Sequence, residues 1–226
     1  MPGPRFRLLT INLFSGFVDA DAFAEVLDRL DPDVMLAQEL AHGAAEVIAS
    51  RFPRHHLRPD HRYSGWGMAS RLPIEINPER PSWGRGGHAR VEVEGRPVHI
   101  AGAHILDPMH RPLRQTGLRR LEQADALVAW GQGLPPGEPQ VVAGDMNATS
   151  AWEVYKKLAA RWDDLIAVEA AQRGGKPART WGVPGRSLRL LRIDHVFGSG
   201  VRAINVVVEG VKGSDHAALV VDLELT

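Results

Sequence analysis

The feature that most constrains the fold of this chain is a series of short apolar runs, each delivering a polar residue at its C-terminal end. RFRLLTI leads to Asn12, DVMLA to Gln38 and Glu39, HIAGA to His104, and QVVAG to Asp145 with Asn147 two residues on. Runs this short and this continuously apolar fit strands covered on both faces. Strand ends are where α/β proteins present their sites. One carboxylate at such an end has a plainer explanation, because Asp and Asn start turns and cap helices. For GDMNATS alone, turn-plus-cap and catalysis weigh equally. Two later segments change the balance. RIDHVF places Asp194 and His195 inside an apolar strand, and GSDHAALVV sets Asp215 and His216 immediately before another. Buried ionisable groups need partners, and caps and turns do not explain the whole ordered set.

Between these runs the sequence predicts helices over 19–30, 43–51, 112–130 and 151–160. The first places Phe23, Val26, Leu27 and Leu30 on one face and stops before Pro32. Residues 88–94 and 97–105 alternate on either side of Gly95 and Arg96, the signature of an antiparallel hairpin. Further strands are expected near 193–197, 201–208 and 217–225. Segment 55–87, rich in Arg, Pro, Gly, Trp and His, offers only short strand candidates, and 173–192 reads as a basic, glycine-bearing loop. With 226 residues and no linker, the chain is expected to form a single domain, 1–226.

At 44% hydrophobic and 24% charged residues, the chain is too apolar to be disordered. Lys plus Arg equals Asp plus Glu at 27 each, so no global field holds it on a polyanion, and any such binding must come from local patches. The absence of cysteine removes disulfides and thiolate metal sites, leaving His, Asp, Glu and Asn as ligands. Oxygen-rich ligation favours Mg²⁺ or Mn²⁺. The N-terminal MPGPRFRLLTINLFSG reads as a first strand rather than a signal peptide, and no apolar run approaches the roughly 20 residues of a membrane span. A cytoplasmic monomer is the expectation.

The motifs LLTINL, PDVMLAQE, GMASRLPI, AGAHI, VVAGDMNAT, RIDHVF and GSDHAALVVDLEL, in that order, resemble the endonuclease/exonuclease/phosphatase superfamily. That superfamily includes pancreatic-type deoxyribonucleases, AP endonucleases, neutral sphingomyelinases and inositol polyphosphate 5-phosphatases. The resemblance implies an α/β (α+β) fold of DNase I-like type, a four-layer sandwich of two mostly antiparallel sheets packed face to face and flanked by helices. It also implies divalent-metal-dependent hydrolysis of a P–O ester by water attack. On the metal side it places Glu39, with Asn12 assisting directly or through a water, and Asp215. Asp145 would orient or deprotonate the attacking water, and Asn147 would donate to the phosphoryl oxygens. His216, oriented by Asp194, would act as general base or as a charged phosphate clamp. His104 matches a strand-end histidine that protonates the leaving oxygen or binds phosphate. AP endonucleases carry a tyrosine there and an acid at the position of Phe14, which moves this chain away from that branch.

His195 is expected to point to the opposite face of its strand from Asp194 and to be structural, as is His99 on the hairpin. His42, His55, His56, His61, His88 and His110 are expected in or near surface loops. Two segments are locally cationic: Arg111, Arg114, Arg119 and Arg120 in one, Lys176, Arg179, Arg186, Arg189 and Arg192 in the other. A solvated face explains each as well as phosphate binding does. Arg111, Arg114 and Arg189 are the candidate ligands of a substrate phosphate. Trp66, Trp83 and Trp181 fall in segments read as loops and could wall a cleft or cover the core. A compact phosphodiesterase or phosphatase acting on a small or flexible phosphoester is the favoured expectation, with a nuclease as the alternative. A binding module that kept the fold and lost catalysis would lack a ligand or a histidine, and none is missing.

Overall fold

The computed structural model describes residues 3–183 and 188–226; Arg186 lies outside the described residues. The first part of the chain runs β1 (Arg5–Asn12), α1 (Ala20–Leu30), β2 (Val34–Gln38), α2 (His42–Arg51), β3 (Arg54–Arg58) and β4 (Trp66–Ser70). The middle continues through β5 (Ile74–Ile76), β6 (Gly86–Val93), β7 (Arg96–His104), α3 (Leu113–Gln132), β8 (Gln140–Asp145) and α4 (Glu153–Ala159). The last part holds β9 (Asp163–Asp164), α5 (Leu165–Gln172), the short pair β10 (Trp181–Gly182) and β11 (Arg189–Leu191), then β12 (Asp194–Ser199), β13 (Val201–Gly210) and β14 (Ala217–Leu225).

Two six-stranded sheets result. One has the order β13-β14-β1-β2-β4-β3 and the other β5-β6-β7-β8-β12-β9. Each has one parallel pair at its centre, β1 with β2 and β7 with β8, and every other neighbour is antiparallel. Alternating side chains of the central strands explain the layers. Leu8, Leu36, Ile100, Val141, Val196 and Val221 meet between the sheets. Leu9, Ile11, Met35 and Val220 face outward and pack with Phe23 and Leu27 of α1 and Ile48 of α2. On the other outer face Ala101, Val142 and Phe197 pack with Leu127 of α3 and Leu158 of α4. Strands apolar on both faces are therefore covered on both faces, and the four-layer α/β sandwich is the fold expected.

Local chemistry sets the element ends. Asp19 caps α1 by accepting from Ala22 N (3.1 Å), and Asp31 stops it in the left-handed conformation just before Pro32. In the β6–β7 hairpin Val93 pairs with Arg96. Its turn residues are Glu94 and Gly95, both at positive φ (49° and 80°), one position earlier than the sequence spacing indicated.

Segment 55–87 departs most from the sequence expectation, because it contributes most of β3, all of β4 and β5, and the start of β6. Trp66 lies on β4 within the central core, where Gly87 makes room: a Cβ there would stand 2.3 Å from the indole. Trp83 is buried in the cluster beneath α3, and its Nε1 donates to Gly102 O (3.1 Å). These two tryptophans serve the core and wall no cleft. His42 opens α2 and His55 lies on β3, both exposed, whereas His56 on β3 and His88 on β6 are half-buried strand residues rather than loop residues. Helix α5 was not anticipated either; its N-cap Asp164 accepts from Ala167 N (3.1 Å), and Leu165 and Ile166 enter the central core. Among the described residues no helix is long and apolar enough to cross a membrane.

Candidate active site

Strand register brings the polar residues together. Asn12 and Gln38 are paired at the ends of β1 and β2, and His104, Asp145 and Asp194 lie side by side across β7, β8 and β12. Because β12 and β14 run antiparallel to their neighbours, their first residues, not their last, reach this same edge. Asp215 and His216 arrive there just ahead of β14. Glu39, His104, Asp145, Asp194, Asp215 and His216 are all buried, and Asn12 as well.

Asn12 joins the two sheets. Its Nδ2 donates to Glu39 Oε1 and to Asp145 Oδ2, both at 3.1 Å, while its Oδ1 accepts from Phe14 N (3.0 Å). Ser15 Oγ donates to the second oxygen of Glu39 (2.9 Å). His216 Nδ1 donates to Asp194 Oδ2 (2.9 Å), and its Nε2 faces Asp145 Oδ2 at 3.8 Å and Asp215 Oδ1 at 4.0 Å. His104 Nε2 stands 3.8 Å from both Glu39 Oε1 and Asp145 Oδ2. Asn147 N donates to Asp145 Oδ1 (2.8 Å), and its Nδ2 reaches Ile105 O (3.0 Å) and Asp145 Oδ2 (3.2 Å). Phe14, Ser15, Glu39 and Asn147 all hold positive φ, between 48° and 50°, a conformation costly for L side chains and typical of functional sites. Gly144, at φ +140°, lets β8 approach β7: a Cβ there would meet Ala103 O at 2.0 Å.

The donor set fits a hard divalent cation. Four buried carboxylates face two imidazoles, and Asp215 Oδ1 is buried without a hydrogen-bond partner among the described residues. The available ligands are carboxylate oxygens and imidazole nitrogens, and the oxygens suit a hard cation. Two groupings compete. Asp145, Asp194 and His216 present ligand atoms within 4.8 Å of one another. In that group His216 already spends Nδ1 on Asp194, which makes an ion pair rather than an open chelate. Among the described residues Asp215 keeps Oδ1 free, and each oxygen of Glu39 accepts a single hydrogen bond.

Burial and charge divide the protonation states. Burial pulls His216 down, but the charges of Asp194 and Asp145 and the hydrogen bond to Asp194 outweigh it and raise it to about 10. Burial pushes Asp194 up, yet the His216 charge and bonds to His216 and Thr180 hold it below its usual range. Burial raises Asp145 to about 7, against the charge of His216, and raises Glu39 as well. Burial, helped by the charge of Arg85, lowers His104 to about 3, so it is neutral near pH 7. Because the folded-state pKa of His216 exceeds its unfolded value near 6.5, its stabilising contribution is complete below that pH and is lost as pH rises through about 10. In chelator, melting temperature should therefore decline between those limits more steeply for the native chain than for His216→Gln. Parallel profiles would show that the pair does not titrate this way.

Arg111 and Arg114 are exposed, and neither forms an ion pair or hydrogen bond among the described residues, so no contact ties them to the cluster. Arg189 does reach it, donating through Nη1 to Asp215 O (2.8 Å). Arg192 turns away to pair with Asp164 (2.7 Å). His195 lies on the far face, as its strand parity required, with Nε2 on Ala148 O (2.8 Å), and His99 pairs with Glu138 at the surface. Ser15 and several supporting residues carry no signal in the sequence. Thr180 Oγ1 accepts from Asp194 N (3.2 Å), Ser214 Oγ donates to Asn12 O (2.7 Å), and Arg120 donates to Asn147 O (2.9 Å) and to Leu106 O. Trp181, half-buried, donates from Nε1 to Asp215 Oδ2 (2.9 Å). Hydroxyls and turn residues of this kind carry no pattern a single sequence reveals.

The profile of the Endonuclease/Exonuclease/phosphatase family matches residues 9–216. The uncharacterized protein YbhP of Escherichia coli is 24% identical over 263 aligned positions, spanning 97% of this chain and 96% of YbhP. Among solved structures, a D. rerio TDP2 humanized by 14 mutations is similar with a TM-score of 0.73 at 17% identity, covering 97% of this chain and 98% of its own. The catalytic domain of human Nocturnin with a bound sulfate anion gives a TM-score of 0.73 at 18% identity, covering 99% and 96%. At these identities the structural likeness speaks for the fold, and it is the DNase I-like fold. Motif order, two-sheet frame and profile agree, and the chain belongs to the Endonuclease/Exonuclease/phosphatase family, whose members are generally divalent-metal-dependent hydrolases of phosphoester bonds.

Proposed function

We propose that this chain hydrolyses a P–O ester by water attack with the help of Mg²⁺ or Mn²⁺, as a compact phosphodiesterase or phosphatase on a small or flexible phosphoester. The observation that carries this is the buried Asp194–His216 pair set opposite Glu39 and Asp145, with Asn12 bonded to both carboxylates. Glu39 and Asp215 would hold the metal. Asn12, whose Oδ1 is occupied by Phe14 N, suits the water-mediated role better than direct ligation. The cation, when bound, supplies neutralisation of charge on the phosphoryl oxygens.

The protein's own groups divide the remaining work. Asp145, raised to about 7 by burial and fixed by Asn147 N and Asn12, is suited to orient water and accept its proton. His216, protonated at neutral pH, favours the clamp over the base: its Nε2–H is free to bond a phosphoryl oxygen while Asp194 holds the ring. His104, neutral, suits hydrogen bonding to phosphate more than donation of a proton to the leaving oxygen. Asn147 can donate to a phosphoryl oxygen on releasing Ile105 O.

Hydrolysis of bis-p-nitrophenyl phosphate should appear with Mg²⁺ or Mn²⁺ and vanish with chelator. A rate at background with both metals, unchanged in Glu39→Ala, would instead favour the non-catalytic binding module. The nuclease alternative rests on Arg111, Arg114 and Arg119, exposed and without partners among the described residues. DNA cleavage that falls steeply between low and physiological salt would favour it.

A further inference from the structure

Large apolar side chains left exposed are not scattered evenly over this molecule. Among the described residues, Met109, Leu113, Leu118, Leu188, Leu190 and Leu191 fall in two segments that hydrogen bonds tie to the active site, while Phe17, Tyr63 and Val168 lie elsewhere. Both segments combine apolar and cationic character. The first runs from the end of β7 into α3. It is tied to the site by Asn147 Nδ2 donating to Ile105 O and by Arg120 bonding both Leu106 O and Asn147 O. It exposes Met109 (72%), Leu113 (50%) and Leu118 (57%). Arg111, Arg114 and Arg119 are interleaved with them, exposed and without an acidic partner among the described residues. Trp152, 40% exposed, flanks this lip with the Arg120 guanidinium 5.4 Å from its ring.

The second segment is the β10–β11 pair and its approach. Trp181 and Arg189 fasten it to Asp215, and Gly182 N donates to Asp215 O (3.0 Å). It exposes Leu188 (58%), Leu190 and Leu191, with Lys176 and Arg179 just before it exposed and without a partner among the described residues. One lip hangs on Asn147 just after β8 and the other on Asp215 just ahead of β14, so the two are anchored at the ends of strands from different sheets. The one exposed acid within the first lip, Asp107, spends an oxygen on Met109 N (2.8 Å).

Exposed leucines cost free energy in water unless a surface covers them, and here each group comes with unpaired cations. We propose that these two lips dock the active-site mouth onto an anionic lipid bilayer, the leucines entering the interface and the arginines meeting the headgroup phosphates. Aliphatic side chains predominate over aromatic ones in both lips. That composition fits acyl chains better than nucleic-acid bases, which are bound by stacking on aromatic rings. A neutral chain such as this one meets a membrane through a local patch or not at all. The docking is independent of which ester is cleaved.

The experiment is sedimentation of the full chain with vesicles of phosphatidylcholine alone, or of phosphatidylcholine mixed with phosphatidylglycerol, at physiological salt. The mixed vesicles should carry down the protein and the neutral ones should not. Leu118→Glu combined with Leu190→Glu should weaken that partitioning by about tenfold or more, while the rate on soluble bis-p-nitrophenyl phosphate stays within about twofold and so reports a folded site. Equal partitioning of native and doubly substituted chains would overturn the proposal, as would no binding to the mixed vesicles. A solution dimer lost in the variant, or single-stranded DNA binding lost in it without vesicle binding, would assign the lips to those partners instead. Docking without hydrolysis of any phosphoester would leave the lips standing and remove the catalytic function.

Discussion

Replacing His216 with alanine is expected to slow phosphoester hydrolysis by about 10²–10⁴-fold, and Asp145→Asn to do the same, with the fold retained. The two changes remove different things. Alanine at 216 takes away the cation that faces Asp145 at 3.8 Å and the Nε2–H offered to phosphate. Asparagine at 145 keeps the shape, and the bond from Asn147 N, while abolishing the carboxylate proposed to accept the proton of water. His216→Ala also strands Asp194, 1% exposed, as a buried charge without its main partner, and breaking such a pair from one side is destabilising. The companion variant His216→Ala with Asp194→Asn separates the two effects: stability should recover and turnover should not. Native turnover in either single variant, measured under saturating Mg²⁺ or Mn²⁺ and with an unchanged circular dichroism spectrum, would refute the roles given to these residues.

Arg192→Ala is expected to cost about 3 kcal/mol of folding stability without touching the catalytic groups directly. The Arg192 and Asp164 side chains are 12% and 5% exposed, and their closest atoms are 2.7 Å apart. Asp164 also accepts from Tyr155 OH (2.7 Å) and from Ala167 N. Burial pushes its carboxyl up, but the hydrogen bonds and charges of His195 and Arg192 prevail and hold it well below the usual range. A carboxyl depressed in the folded state stabilises fully above its unfolded pKa near 4 and loses that contribution as pH falls further. Urea unfolding should show a lower midpoint at an unchanged slope, and a difference from the native chain that narrows below pH 4. A loss under about 0.5 kcal/mol at neutral pH would show that solvent, not Arg192, satisfies Asp164.

The contrast between Arg192 and Arg189 shows where sequence legibility ended. Both stand in one cationic run, yet strand parity and the path of β11 send one to Asp215 and the other to Asp164. Periodicity captured what depends on burial: α1 with its apolar stripe, the central strands, and the opposed faces of Asp194 and His195. The ordered polar residues that end those strands were legible because each follows an apolar run. The turns were not. Positive φ at Glu39 and Asn147 has no glycine to announce it. Ser15 acts through a 3-10 turn that leaves no pattern of its own. Trp66 reads as a loop residue because glycine and arginine around it resemble loop composition, whereas Gly87 in fact admits its indole to the core; Trp83 does stand in a turn, from which it covers the core.

The placement of β1 between β14 and β2 has a consequence for biogenesis. Arg5 and Glu224, paired across β1 and β14, are separated by 219 residues, so the first sheet closes through one of the longest loops the chain allows. Until β14 arrives, β1 presents a bare ladder of amide and carbonyl groups on an apolar strand, the kind of edge that recruits other chains. Asp215 and His216 arrive with that same closing strand. A partially folded or C-terminally clipped chain would thus be both inert and prone to self-association, so catalytic competence and protection from aggregation would be acquired in a single late, non-local step.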